Sequence, residues 1–372
     1  MLAMAQRLIG VGLAVAAALV AVALVEGLAS LAILAGLFFG PSGHVALDRF
    51  ARYDPELGWA SIPGISLPDF YGPGVGFHTN AHGFRGRVDP VAALPPGKVR
   101  VVCSGDSFTL GPGVGDDDTW CAQLAALDPR LETINMGQGG YGADQAFLWY
   151  RRDGAGLAPA VHLFAFIDGD FERMRSGRFL GDYGKPTLAV RDGALVVEHV
   201  PAWRRPFWMP TVRVREIVKR TKTYELVERI GRRLSAGMPP PAVDPAAQAP
   251  VIDAALAVFA ALQETAAQTG GALVLVYLPT LFDCRLPAAA PSGLVWWPAI
   301  GPRAATAGFR VVDLSPACRR LPAAEQEALF FPEGAVRFYA AAGHYTVAGH
   351  RFMAAALQRE LASVFDGAAA AR

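Results

Sequence analysis

Five short segments predict strands from residue 99 onward, and segments with helical character separate them. The predicted strands are Val99–Cys103, Leu131–Asn135, Ala160–Ile167, Ala272–Leu278 and Phe309–Leu314. The third is nearly all apolar, and a strand that is apolar on both sides is buried on both sides, as in a parallel sheet covered by helices. Strands that alternate with helices form such sheets. The pattern therefore predicts an α/β fold whose ligands bind at the carboxyl ends of the strands.

Helices are predicted beside these strands over Thr119–Leu127, Ala143–Gly154 and Val347–Phe365. The first of them follows three consecutive aspartates, Asp116 to Asp118. Their carboxylates suit the unpaired N–H groups of a helix N-terminus. A metal site is the alternative interpretation of the same three side chains.

The N-terminus is apolar enough to cross a membrane. Ile9–Val25 carries no charge, and Glu26 is followed by a further apolar run. About 20 apolar residues span a bilayer as a helix, and Arg7 favours a cytoplasmic N-terminal side. We therefore expect residues 1–40 to be a single-pass anchor in a bacterial inner membrane, with the rest of the chain in the periplasm or otherwise outside the cytoplasm. The alternative is a cleaved signal peptide.

The rest of the chain divides into a short first segment and a longer domain. Residues 41–97 are rich in Gly, Pro and His, which predicts irregular or short β structure; we call them the lead-in segment. Residues 98–372 form the predicted main domain. An insertion at about residues 171–250 interrupts that domain between its third and fourth strands.

The insertion contains three predicted features. Asp192-Gly193 between two short runs indicates a β-hairpin. A basic helix is expected over Thr211–Leu234, and it either lies on an anionic membrane surface or packs on its own domain. Residues 236–250 are rich in Pro and Ala, which is typical of a linker.

Net charge and cysteine content exclude several classes of function. With 34 Lys and Arg against 33 Asp and Glu, the net charge of +1 gives no field that attracts nucleic acid. Four cysteines are too few for a disulfide scaffold and lack metal-ligand spacing. No metal, cofactor or nucleic-acid partner is therefore expected. Cys284 and Cys318 lie near predicted strand ends, where a disulfide would persist in an oxidising compartment, but spacing alone leaves their pairing open.

The segment Gly105–Gly111 directly follows the first strand and contains Ser107. A serine at the carboxyl end of a central strand can present its hydroxyl and its N–H to a ligand. Its hydroxyl needs a base before it can act as a nucleophile. An ordinary turn with a serine near a helix N-cap is the alternative. Thr109 excludes the Gly-x-Ser-x-Gly elbow of α/β-hydrolases.

His344 is the candidate base. It lies in the segment Gly343–His350, just before the last helix. A histidine in this loop of an α/β sheet can reach the crevice beyond the first strand. A single histidine is more often structural, so the pairing with Ser107 carries the hypothesis.

Together these motifs resemble the SGNH (GDSL-type) hydrolases. The resemblance rests on Gly105-Asp106-Ser107, on the Asn-x-Gly-x-x-Gly pattern from Asn135 to Gly140, and on His344 before the last helix. It implies a flavodoxin-like three-layer α/β/α fold with a mostly parallel sheet. It also implies that Ser107 is the nucleophile, that His344 is the base, and that the N–H groups of Ser107 and Gly140 belong to an oxyanion hole.

The lead-in segment resembles that of membrane-anchored bacterial members, through Asp54–Trp59 and Asn80–Arg85. Such members are thought to act on cell-surface or exported carbohydrate esters. The expected function is therefore a membrane-anchored serine esterase or acyltransferase whose partner is an acyl ester, including one on a polysaccharide. The alternative is a weakly active or inactive protein of the same fold that binds glycan or scaffolds a surface-polysaccharide assembly.

The sequence departs from the family pattern at two positions. Gly169 stands where the family has the Asn of the oxyanion hole, so only a backbone N–H remains there. Ala341 and Ala342 stand where the family has the Asp that orients the histidine. Losing these groups lowers the rate of a serine hydrolase by about 10²–10³ and up to about 10⁴, respectively. Candidate replacements for the acid are Asp168, Asp170, Glu333 and a backbone carbonyl.

Two competing interpretations remain. Gly137–Gly142 also matches the Gly-x-Gly-x-x-Gly of dinucleotide-binding folds, with Asp168 ending the next strand. Asp168–Glu172 could instead bind a divalent cation, or it could be a polar loop at a strand end. Gly111–Gly115 lacks the Lys and Ser/Thr of a phosphate-binding loop.

Overall fold

The computed structural model describes residues 2–39, 50–91, 93–179, 183–203, 218, 221–235, 244–336 and 338–371. The chain divides into two compact units. One unit comprises Met1–Ser42 and Arg205–Pro241, and the other comprises Gly43–Arg204 and Ala242–Arg372.

The elements have the following bounds in chain order. The helices are α1 Leu2–Phe39, α2 Ser107–Leu110, α3 Trp120–Leu127, α4 Ala143–Trp149, α5 Asp168–Arg173, α6 Lys222–Ser235, α7 Pro245–Gln268, α8 Leu281–Arg285, α9 Trp297–Thr306, α10 Ser315–Arg319, α11 Ala323–Ala328 and α12 Val347–Ala370. The strands are β1 Ala51–Asp54, β2 Gly58–Ser61, β3 Ser66–Gly72, β4 Val75–His78, β5 Val99–Gly105, β6 Leu131–Gly137, β7 Val161–Phe166, β8 Arg178–Phe179, β9 Tyr183–Gly184, β10 Thr187–Arg191, β11 Ala194–Glu198, β12 Ala272–Tyr277 and β13 Val311–Asp313.

The first unit contains α1 and α6. Within α1, Ile9–Ala32 has a mean hydropathy of 2.4 and is largely exposed, so its length and composition suit a membrane span or a signal sequence. The Glu26 carboxylate accepts hydrogen bonds from the N–H groups of Lys222 (2.5 Å) and Thr223 (3.1 Å). Glu26 therefore satisfies the first backbone donors of α6. The expected start of this helix at Thr211 lies outside the described residues.

The second unit is built on a parallel sheet with the order β6-β5-β7-β12-β13. Numbered along the chain, this is the order 2-1-3-4-5 of flavodoxin-like folds. Each of the five predicted strands forms one strand of this sheet, with ends that shift by up to two residues. The predicted flavodoxin-like sheet is confirmed.

Helices cover both faces of this sheet. On one face, α3 and α12 bury apolar side chains, among them Trp120, Leu124 and Leu357. On the other face, α4, α7 and α9 do so, among them Phe147 and Phe259. The helix α7 is also long and apolar enough to cross a membrane by composition, but 39% of that stretch is buried against the sheet side of this unit. The three-layer α/β/α architecture is therefore confirmed.

The lead-in segment forms two antiparallel hairpins, β1–β2 and β3–β4. This agrees with the short β structure that its composition predicts. The insertion begins with the short pair β8–β9 and the hairpin β10–β11, which turns at the expected Asp192-Gly193. The linker predicted over residues 236–250 is wrong at its C-terminal end, because α7 begins at Pro245. Proline is well suited to a first helical position, and Asp244 caps the helix by accepting from Ala246 N at 3.0 Å.

All four cysteines are paired. Cys284 is bonded to Cys318, as the sequence allowed, and Cys103 at the core of β5 is bonded to Cys121 in α3. The Cys103–Cys121 bond links the central strand β5 to α3, a helix that covers it. Both bonds close loops of moderate length, which reduces the conformational entropy of the unfolded chain.

An ion pair without solvent contact ties the insertion to the main domain. Lys185 Nζ lies 2.5 Å from Asp144 Oδ2, and both side chains are fully buried. The same ammonium donates to the carbonyl oxygens of Arg173 (3.1 Å) and Pro186 (2.9 Å). Burial raises the pKa of the Asp144 carboxyl even beside this lysine.

We expect Lys185→Met to lower the free energy of unfolding by about 3–5 kcal/mol, because it leaves the Asp144 carboxylate buried and unpaired. Thermal unfolding of the full-length chain in detergent measures the change. The double variant Lys185→Met/Asp144→Leu removes both charges and should recover most of the loss. A Lys185→Met variant that melts at the wild-type temperature would contradict this expectation.

Candidate active site

Ser107 lies at the carboxyl end of the central strand β5, as the motif predicts. Asp106 separates the strand from α2 and caps that short helix, since its Oδ1 accepts from Phe108 N at 2.8 Å. The helix ends at Gly111, whose φ of 78° is left-handed. The serine is therefore held in a tight turn between a buried strand and a single helical turn.

Two glycines allow this turn to pack against the sheet. Gly105 and Gly137 lie opposite each other in β5 and β6. A Cβ on Gly137 would be 2.1 Å from Leu110 N, and a Cβ on Gly105 would be 2.4 Å from Ala165 O. No side chain fits at such distances. These two glycines of the motifs are therefore explained by close backbone packing around Ser107.

Polar side chains from β6 and from the lead-in segment hold the turn by hydrogen bonds to its backbone. Asn135 donates to Thr109 O at 2.8 Å and accepts from Gly137 N at 2.9 Å. Arg85 of the lead-in segment donates through Nη1 to the carbonyl oxygens of Leu110 and Gly111, both at 2.9 Å. Arg85 thereby satisfies carbonyl groups at the C-terminus of α2 that a helix leaves unpaired.

The structure brings His344 and Ser107 together. His344 Nε2 lies 2.8 Å from Ser107 Oγ, although 237 positions separate the two residues in the chain. The histidine loop is fixed by backbone bonds from His344 N to Ala341 O (3.0 Å) and from Phe331 N to His344 O (2.8 Å). The ring of Phe108 packs on the imidazole with centroids 4.6 Å apart.

No carboxylate of the described residues accepts a hydrogen bond from the other ring nitrogen of His344. Nδ1 is buried and has no hydrogen-bond partner among the described residues. Asp168 accepts instead from Trp296 N (2.9 Å) and Trp297 N (2.7 Å), where it caps α9. Asp170 is bound to Arg173 and to Ile167 N. Neither of these two aspartates therefore replaces the absent acid.

Burial lowers the pKa of His344 below its usual value, because the protonated ring loses hydration. The charge of Asp106 acts in the opposite direction, and the charge of Arg173 adds to the lowering. The carbonyl groups of Ala341 and Ala342 favour the protonated ring to a smaller extent. The neutral imidazole, which can accept a proton from Ser107, is thus the favoured form.

A cleft of about 190 Å³ opens in front of Ser107 and His344. Much of its wall is aromatic, and these rings come from the lead-in segment, from the insertion and from the loop before the histidine. The other lining residues are Phe50, Tyr71, Leu110, Pro112, Gly139, Gly140, Arg173, Phe179, Phe338 and Ala340. The sequence motifs identify Ser107, His344 and Gly140 of this cleft, and they miss its aromatic wall.

Gly140 lines the cleft, whereas Gly169 is not among its lining residues. Gly140 has a φ of 77°, and a Cβ there would be 2.6 Å from the ring of Phe179. The loop that carries Gly140 is braced by the lead-in segment, because Trp59 Nε1 donates to Gly139 O at 2.9 Å. Glycine at position 140 is therefore required by both conformation and space.

Arg173 is the charged cleft residue that the motifs did not identify. It ends α5, and its Nη1 donates to Tyr141 O (2.8 Å) and to Asp106 Oδ2 (3.3 Å) and contacts Asp170 Oδ1. Burial raises the pKa of Asp170 well above its usual range, and the charge of Asp106 raises it further. The sequence contains one signal for Arg173. It follows Gly169 by four positions, which is one helical turn, so the two residues lie on the same face of a helix.

The competing interpretations find other structural explanations. Asp116 does not cap α3, since Thr119 accepts from Ala122 N, and Asp116 pairs instead with His78 (2.6 Å) and Arg85 (2.8 Å). Among the residues that the structure describes, no group of three or more His, Cys, Asp or Glu is arranged to hold a metal ion. Gly137 packs on the Ser107 turn, and Asp168 is used as a helix cap.

Gly137→Ala should destabilise the protein by about 1–3 kcal/mol, because the new methyl group overlaps the backbone of α2 and forces it away from β6. Thermal unfolding of the full-length chain provides the measurement. Gly156→Ala is the matched control, since a Cβ at position 156 meets nothing within 4 Å. Equal melting temperatures for the two variants would show that the contact is not restrictive.

Comparison with known proteins gives structural neighbours only. No protein-family model and no curated protein matches the chain. Similar solved structures include a member of the lipolytic protein G-D-S-L family from Veillonella parvula DSM 2008 (15% identity, 70% of this chain, 96% of that chain, TM-score 0.33). Another is a catalytic mutant of an acetylxylan esterase from Geobacillus stearothermophilus (14% identity, 72% of this chain, 95% of that chain, TM-score 0.37). A third is an α/β-hydrolase enzyme from the metagenome of Lake Arreo, Spain (15% identity, 73% of this chain, 98% of that chain, TM-score 0.38).

Proposed function

We propose that this chain is a membrane-anchored serine esterase or acyl-transfer enzyme. Ser107 is its nucleophile, and His344 is its base. The proposal depends on one observation above all, the 2.8 Å contact between Ser107 Oγ and His344 Nε2 at the carboxyl edge of the sheet. A hydroxyl and a basic ring nitrogen at hydrogen-bond distance are the two groups that covalent acyl transfer requires.

The reaction proceeds through an acyl-enzyme. Ser107 Oγ attacks the ester carbonyl carbon while His344 Nε2 takes the hydroxyl proton, and the carbonyl electron pair moves to oxygen. The resulting oxyanion accepts hydrogen bonds from the N–H groups of Ser107 and Gly140. When the intermediate collapses, the alcohol leaves with the proton from Nε2. Water or a sugar hydroxyl then attacks the acyl-enzyme, again with His344 as base.

The cleft favours a small acyl group. A volume of about 190 Å³ suits an acetyl group with part of its alcohol rather than a long acyl chain. Aromatic side chains that line the cleft, such as the half-buried Phe179, can pack on the apolar face of a sugar ring. We therefore propose an O-acyl ester on a carbohydrate as the substrate class, including one on a polysaccharide.

The proposed location is the periplasmic side of a bacterial inner membrane. The apolar stretch Ile9–Ala32 supports an anchor. The bonds Cys103–Cys121 and Cys284–Cys318 support an oxidising compartment, because disulfides are rare in the cytoplasm. Esters of exported carbohydrates would be available there.

A second candidate function follows from the unpartnered Nδ1 of His344. Without an orienting carboxylate, a serine hydrolase loses up to about 10⁴ in rate. The second candidate is therefore a weakly active or inactive protein that uses the same cleft to bind glycan or to scaffold a surface-polysaccharide assembly. Turnover that depends on both Ser107 and His344 separates the two functions.

The test is hydrolysis of p-nitrophenyl acetate by the full-length chain in detergent. Wild type should turn over, and Ser107→Ala and His344→Ala should both fall to background. Ser363→Ala and His82→Ala are matched controls at exposed positions and should equal wild type. Equal rates for all five proteins would exclude a simple-ester hydrolase. Product analysis with and without a polysaccharide acceptor then distinguishes hydrolysis from transfer.

The pH dependence tests the state of the histidine. Because burial lowers the pKa of His344, the neutral base should persist below the ordinary histidine value of about 6.5. The acid limb of kcat/KM, which reports the free enzyme, should therefore have its midpoint below about pH 6.5. A midpoint above that value would indicate that a carboxylate stabilises the protonated ring after all.

A further inference from the structure

Arg173 joins the two backbone segments that carry the proposed oxyanion donors. Its Nη1 donates to Tyr141 O at 2.8 Å, directly after Gly140, and to Asp106 Oδ2 at 3.3 Å, directly before Ser107. The guanidinium also lines the cleft. Arg173 and Ser107 thus line the same cleft, in which an ester bound to Ser107 would place its carbonyl oxygen.

The Arg173 guanidinium has N–H groups that no described residue uses. All of its hydrogen bonds to described residues run through Nη1. Its side chain is 24% exposed, and neither Nε nor Nη2 is among the fully buried atoms that lack a partner. These N–H groups therefore keep the capacity to donate to a ligand. Because guanidinium donors are held in a rigid fork, fixing Nη1 also orients the others.

A cation beside the turn that carries Ser107 would offset the negative charge of the Asp106 carboxylate. Asp106 Oδ2 lies 3.4 Å from Ser107 Oγ, so a negative oxygen that develops on the substrate forms near an existing carboxylate. Like charges that lie close together in a buried site repel strongly. Arg173 contacts the same carboxylate oxygen and offsets its charge. Removing the guanidinium would expose the oxyanion to Asp106.

The absence of a side chain at position 169 fits this arrangement. Arg173 lies one helical turn after Gly169 on α5, so the two positions share a face. A Cβ at position 169 would meet only Ile167 Cδ1, at 3.7 Å. Position 169 has room for a side chain but carries none, while the residue one turn later on the same face supplies N–H donors.

We infer that Arg173 is the side-chain donor of the oxyanion hole and acts together with the N–H groups of Ser107 and Gly140. The inference depends on the proposed function of Ser107 and His344. When Oγ bonds to the carbonyl carbon and its proton passes to His344 Nε2, the carbonyl oxygen gains the electron pair. That oxygen then accepts from Arg173. When the bond to the leaving alcohol breaks, the pair returns and the alcohol takes the proton from Nε2.

The experiment compares Arg173→Gln, Arg173→Lys and Arg175→Gln in the full-length chain with p-nitrophenyl acetate. Loss of one oxyanion donor should lower kcat of Arg173→Gln by about 10²–10³ with KM nearly unchanged. Arg173→Lys keeps a cation beside Asp106 and so preserves the fold, but it lacks the fork, and its kcat should also fall at least tenfold. Arg175, which pairs with Glu172 on the surface, is the control and should equal wild type when changed.

A tetrahedral phosphonate ester provides a second readout that a merely structural role would not change. Its rate of inactivation should fall in the Arg173 variants in parallel with kcat/KM, because the phosphonyl oxygen occupies the position of the oxyanion. A kcat within threefold of wild type in Arg173→Gln overturns the inference, as does a loss that appears only in KM. If wild type lacks Ser107-dependent turnover, the proposed function fails and this inference fails with it. If Ser107→Ala is inactive and the Arg173 variants are normal, only this inference fails.

Discussion

Close packing between the turn that carries Ser107 and the sheet determines the geometry of the whole cleft. Gly137 lies so near to Leu110 N that any side chain would separate α2 from β6. Gly105 is similarly close to the carbonyl of Ala165 in β7. Because three neighbouring strands and one helical turn meet here without intervening side chains, Ser107 has little freedom to move. The His344 loop, the Gly140 loop and Arg173 are then arranged around a fixed hydroxyl.

The two partners of this hydroxyl are held by different means. The loop on the oxyanion side is braced by side-chain hydrogen bonds, including Trp59 to Gly139 and Arg173 to Tyr141. The imidazole of His344 is held by backbone bonds of its loop and by packing on Phe108, and no carboxylate among the described residues is bonded to its Nδ1. The Gly140 loop is thus braced through side chains, whereas the His344 loop is fixed mainly through its own backbone.

The sequence predicts features that arise from local pattern. The alternation of strand and helix patterns identifies all five strands of the sheet, and short motifs identify Ser107 and His344 at positions that the fold brings together. Arg173 and Arg85 were not identified, because their roles depend on contacts between segments that are distant in the chain. The start of α7 at Pro245 was assigned to a linker, because Pro and Ala are common to both linkers and helix N-termini. The absent partner of His344 likewise depends on where Asp168 and Asp170 direct their carboxylates in the folded chain.

The lead-in segment has a consequence for how the shape of the cleft can change. It contributes Phe50 and Tyr71 to the wall of the cleft, and Arg85 and Trp59 to the support of the Ser107 turn and the Gly140 loop. The wall and the supports therefore come from the same segment but from different residues. Substitutions at Phe50 and Tyr71 can change the shape of the wall while Arg85 and Trp59 still hold the two loops. One scaffold can in this way carry clefts of different shape, because loops that line a site tolerate more variation than the elements that position it.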